Sequence, residues 1–107
     1  MKRALICLFG LIVMVFLANY SSYAHTPLCS CCDNGDGTVT CEGGFSDGSS
    51  AAGVSMTVLD KSGKVLIKGK MNEDSEFTFK KPDVPYTVVF DAGPGHVVKV
   101  DSKDITE

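Results

Sequence analysis

From Thr38 onward, apolar and polar residues alternate in short runs, with turn residues intervening about every eight to twelve positions. Alternation with a period of two puts successive side chains on opposite faces of an extended strand. Residues 38–45 read as the first strand, entered through the turn Asn34-Gly35-Asp36-Gly37. A second strand sets Val54, Met56 and Val58 on one face and Ser55 and Thr57 on the other. Asp60-Lys61-Ser62-Gly63 turns the chain into a third strand over 64–71, with Val65 and Ile67 expected to point inward. Phe77 and Phe79 mark the fourth, which Lys80-Lys81-Pro82 ends as a guarded edge. Tyr86, Val88 and Phe90 face inward on the fifth, and 96–100 forms the last. No stretch of this region has helical periodicity with a cap. The expected fold is all-β, a two-layer β-sandwich of six or seven strands.

What precedes the strands reads differently. Lys2 and Arg3 open the chain, an apolar run covers 4–18, and Ser22-Tyr23-Ala24 offers small residues where a signal peptidase cuts. The run is shorter than the roughly 20 residues of a spanning helix. Residues 1–24 are therefore expected to be a helical signal peptide, and the protein to be periplasmic or otherwise exported. A retained leader would instead leave it membrane-anchored. A lipid anchor on Cys29 fits poorly, because Thr26-Pro27-Leu28 lacks the small residues such a site needs.

Cleavage after Ala24 leaves 83 residues, one domain near the size below which a core alone stabilises a fold only weakly. Loss of Lys2 and Arg3 reduces Lys and Arg from 10 to 8 against 13 Asp and Glu, so the net charge moves from −3 to −5. An acidic balance without a basic cluster excludes nucleic acid as an expected partner and is compatible with cations. By composition, residues 25–37 form a Cys-rich N-terminal segment and 38–107 the sandwich domain.

That segment and its border hold Cys29, Cys31, Cys32 and Cys41, while Cys7 leaves with the leader. An even cysteine count in a small exported domain favours disulfides. Four cysteines allow three pairings. A Cys31–Cys32 bridge is disfavoured by geometry, and Cys32 to Cys41 would staple the hairpin around the 34–37 turn. Their spacing matches no standard zinc finger, and thiolate ligation is the secondary expectation. Asp33-Asn34-Gly35-Asp36-Gly37 lacks the full register and distant Glu of a calcium loop and reads as a hairpin turn.

The two histidines offer more. Cleavage would make His25 the N-terminal residue, whose α-amine and ring Nδ1 close a six-membered chelate on one metal ion. An α-amine has a reference pKa of about 7.7–8.0 and yields its proton readily to a metal. Pro27 has no amide N–H, so further wrapping by backbone nitrogens stops there. His96 follows Asp91-Ala92-Gly93-Pro94-Gly95, a tight loop between two strands. Three nitrogens from two histidines suit Ni(II) or Cu(II) in a planar arrangement. No Ser-His-Asp set, phosphate loop or paired carboxylates stand out, so no enzyme activity is expected.

Residues 45–100 carry a set of linked motifs: the FSDG opening at Phe45, the DKSGK turn, the segment GKMNEDSEFTF, a proline turn into Tyr86 and the DAGPGH ending at His96. Together with the exposed His25, this resembles the periplasmic accessory proteins of nickel and cobalt energy-coupling-factor uptake systems. Those are similar to carboxypeptidase regulatory-like, or transthyretin-like, β-sandwiches. The resemblance implies a domain that binds Ni or Co outside the membrane, with His25 and His96 as ligands and a membrane metal permease as partner. The stretch Cys29–Cys41 is an addition to that pattern and brings Cu or Zn into consideration. The alternative expectation is a non-catalytic surface or adhesion module stabilised by disulfides.

Overall fold

A computed structural model describes residues 26–107; the expected signal peptide and His25 lie outside the described residues. The described residues form seven strands: β1 Pro27–Asp33, β2 Thr38–Phe45, β3 Ser55–Asp60, β4 Val65–Lys70, β5 Glu76–Lys80, β6 Tyr86–Asp91 and β7 Val97–Asp101. A single 3₁₀ turn, Ser102–Asp104, follows. All neighbouring strands are antiparallel, in one sheet ordered β1-β2-β5 and another ordered β4-β3-β6-β7. The expected all-β, two-layer architecture is what the chain adopts. Among the described residues no helix is long and apolar enough to cross a membrane.

Why the layers close is visible in the alternation. Met56 and Val58 from β3, Val88 and Phe90 from β6, and Val39 and Cys41 from β2 are fully buried between the sheets. Phe90 lies under Gly43: a Cβ added there would come within 2.6 Å of the Phe90 ring. The ring also sits 6.0 Å from that of Phe45. A glycine in a strand interior is otherwise unfavourable, and here it makes room for the largest buried side chain.

Two expectations are corrected. The Cys-rich segment 25–37 is not separate from the sandwich, because its residues 27–33 form β1, which pairs with β2 from Pro27 opposite Phe45 to Asp33 opposite Val39. Val65 does not point inward and is 51% exposed. A register shift between Val58 and Leu59 pairs Leu59 with Val65 directly after Val58 with Ile67, so β4 loses its alternation where it begins.

The strand registers place the ends. Pro27 pairs with Phe45, Ser55 pairs with both Lys70 and Asp91, and Asp91 pairs with Val97. The connection from β4 to β5 bonds back to β2 through Gly43 N–H donating to the Ser75 carbonyl at 2.9 Å. One end of the sandwich therefore gathers the starts of β1, β3, β5 and β7. At the other end the Asp33 N–H donates to the Thr106 carbonyl at 3.0 Å, and Lys81 Nζ donates to Asp33 Oδ2 at 2.7 Å. β1 and β7 are edge strands of opposite sheets, packed against each other and running in the same direction.

Candidate metal-binding groups

Two sets of residues are candidates for holding a metal, and they differ in position and chemistry. The first is at the end where β1 and β7 begin. His96 directly precedes β7, and its backbone is tied into the loop: Ala92 N–H donates to the His96 carbonyl at 3.0 Å, and His96 N–H to the Gly93 carbonyl at 2.9 Å. The Gly93 N–H donates in turn to Asp91 Oδ1 at 2.9 Å. Gly93 and Gly95 take φ of 112° and 79°, which L side chains rarely adopt, so the loop depends on both glycines.

The His96 ring is held as well. Nδ1 lies 3.1 Å from the Pro94 carbonyl oxygen. A carbonyl can only accept, so this contact places an N–H on Nδ1, and in the neutral ring it selects the tautomer whose lone pair is on Nε2. An orienting contact on one ring nitrogen is the usual support for a histidine whose other nitrogen binds metal. The ring is partly exposed, in reach of solutes.

Thr26 is the first described residue, and its N–H donates to Ser46 Oγ at 2.9 Å while its carbonyl accepts from the Ser46 N–H at 2.9 Å. These bonds fix the entry to β1 at the end where His96 precedes β7. His25 itself, the residue before Thr26 in sequence, lies outside the described residues.

The second set is sulfur. Cys31 and Cys41 form a disulfide between directly opposed residues of β1 and β2, with Cα atoms 4.0 Å apart. Of the pairings the sequence leaves open, Cys41 therefore takes Cys31 and not Cys32. With Asp33 opposite Val39, the ladder places Cys31 opposite Cys41 and Cys32 opposite Thr40, on the other face of β1. Cys29 shares the inward face with Cys31, carries a free thiol and is only 8% exposed. The Sγ atoms of Cys29, Cys31 and Cys41 all lie within 4.8 Å of one another. The sequence offers these three together with Cys32 as secondary ligand candidates. The signal that unites them is the spacing Cys29-x-Cys31, which on a strand puts both on one face.

Burial pushes the Cys29 thiol up to about 12 by withholding water from its thiolate. The thiolate is the reactive form, so Cys29 should be inert in the folded protein. Iodoacetamide at pH 8 is expected to leave the Cys29 peptide unlabelled in buffer and to label it fully in denaturant, read by peptide mass mapping. Labelling at equal rates in both would place Cys29 at the surface.

Comparison with protein-family models, with curated proteins and with solved structures finds no match for this chain.

Proposed function

We propose that this protein is an exported metal-binding accessory domain that holds a divalent transition metal, nickel or cobalt in preference, at the end of the sandwich where β1 and β7 begin. In this reading the leader is cut after Ala24, and the His25 amine and ring supply two nitrogens. Nε2 of His96 supplies a third, and a membrane metal permease receives the ion. One observation carries it: Thr26 and His96 directly precede two edge strands that pack against each other and start at the same end. Had the two lain at opposite ends, some seven residues of strand, or more than 20 Å, would have separated them.

The chemistry of the donors agrees with this choice. Amine and imidazole nitrogens suit nickel, cobalt, copper and zinc, whereas magnesium and calcium want oxygen. The Nδ1 contact to Pro94 orients the His96 ring and leaves Nε2 as the nitrogen available to a metal in the neutral tautomer. Cys31 and Cys41 are joined to each other and supply no thiolate to this site.

The test is titration of the exported protein with Ni(II), with intact mass confirming that it starts at His25. One nickel ion per chain is expected. A variant with one serine inserted before His25 should lose most of the affinity, because the amine moves off the chelate, and His96→Ala should lose most of it independently. Unchanged binding in both variants, or an exported mass that retains residues 1–24, overturns the reading. The competing reading, a non-catalytic surface or adhesion module stabilised by disulfides, draws on the Cys31–Cys41 bridge and expects no stoichiometric nickel in any of the three proteins.

A further inference from the structure

The sulfur cluster lies apart from the histidine end and plays no part in that reading. It sits between the sheets, with Cys41 fully buried and Cys29 nearly so, and the cluster consists of three sulfurs without a histidine or carboxylate. Small-residue packing alone accounts for one buried cysteine, because free cysteine behaves as a small hydrophobe. It does not account for a free thiol placed against both sulfurs of a disulfide.

We propose that Cys29, Cys31 and Cys41 form a buried three-thiolate site for one copper(I) ion, opened when a dithiol reduces the Cys31–Cys41 bridge. The reduction balances within its named reactants. One dithiol sulfur attacks Cys31 Sγ and the Cys31–Cys41 bond breaks. The second dithiol sulfur then displaces Cys31, leaving two cysteine thiols and one cyclic disulfide. Two electrons and two protons pass to the protein. Copper(I) then replaces the three thiol protons, which go to solvent. Cys31 is the sulfur a reductant would reach, since it is partly exposed on an edge strand while Cys41 is sealed.

Geometry and ligand type select the ion. A metal–sulfur bond of about 2.3 Å in a trigonal array sets its sulfurs about 4 Å apart. The three atoms already lie within 4.8 Å on a two-stranded ladder that fixes their backbones. Soft thiolates without nitrogen or oxygen partners favour copper(I). Structural zinc demands a fourth ligand, and among the described residues this cluster offers only its three sulfurs. The thiol proton that burial holds on Cys29 is no barrier to a soft metal, because a coordinating thiol is deprotonated outright. The disulfide is thus a gate: closed, it leaves one protonated thiol; open, it leaves three ligands.

The experiment is an anaerobic titration with copper(I), buffered by bathocuproine disulfonate, on the protein as purified and after dithiothreitol treatment and its removal. Circular dichroism is recorded on the same samples. One copper(I) per reduced chain is expected, and none at this site in the oxidised chain. Cys29→Ser should weaken binding at least tenfold. Cys32→Ser, on the other face of β1, and His96→Ala, at the end of the sandwich, should bind as the parent does, which separates this site from the histidine site. The proposal is overturned if the reduced chain yields all its copper to the competitor. It is equally overturned if oxidised and reduced chains bind alike, or if Cys29→Ser binds like the parent. Should reduction unfold the domain, copper(I) must restore the β-sheet spectrum, and failure to do so overturns the proposal too.

Discussion

Phe90→Ala is expected to lower the unfolding free energy by about 3–5 kcal/mol, the range for deleting a buried phenylalanine. Phe90 is fully buried, the largest side chain so placed, and its ring fills the gap that Gly43 leaves on the opposite sheet. The substitution removes apolar area from the core and opens a cavity between two ladders that cannot collapse onto it. A small domain has only about 5–15 kcal/mol in total, so much of its stability would go. Urea denaturation followed by circular dichroism reads the effect as a lower midpoint at similar slope. Val97→Ala is the control: Val97 is 44% exposed on β7, and its change should stay within about 0.5 kcal/mol. A Phe90→Ala loss no larger than that of Val97→Ala would mean that the sheets do not pack through this ring.

How much of this core could be read beforehand depended on which residues carry it. Met56 with Val58, and Tyr86 with Val88 and Phe90, stand in alternating runs, so their inward face follows from period two alone. β1 escaped the same reading because its inward positions are cysteines. A run such as PLCSCCD looks like ligands or staples, whereas in the fold Cys29 and Cys31 take the places that valine or isoleucine hold elsewhere. Val65 failed for a different reason: alternation holds only while the register does, and the shift opposite Leu59 breaks it at the start of an edge strand.

The candidate sites were legible in part, as residue types without neighbourhoods. The loop before His96 announces itself through its glycines and proline, but that β7 lies beside β1 is a matter of topology, set by strands some seventy residues apart. The disulfide partner of Cys41 was within reach, since a hairpin's turn fixes its register. The turn residues alone left one position of play. Asn34 N–H donating to the Thr38 carbonyl at 3.0 Å settles it, and a one-residue slip would have brought Cys32 across instead.

Removing that bridge is the second large perturbation. Cys31→Ala with Cys41→Ala is expected to cost about 3 kcal/mol, from the loop entropy that a cross-link spanning ten residues denies the unfolded chain. The double substitution is the right comparison. A single one would leave a lone thiol at a sealed position, as at Cys41, and add a packing change of its own. The native ladder between β1 and β2 persists without the bridge, because its hydrogen bonds come from backbone groups along all seven residues of β1. The variant should therefore remain folded in buffer, with an unchanged sheet spectrum and a lower urea midpoint. A loss well under 1 kcal/mol would show that the unfolded chain already keeps this hairpin closed. Loss of the sheet spectrum in plain buffer would show that β1 is held by its cross-link more than by its ladder, and a copper(I) site in the reduced chain would then have to supply that hold itself.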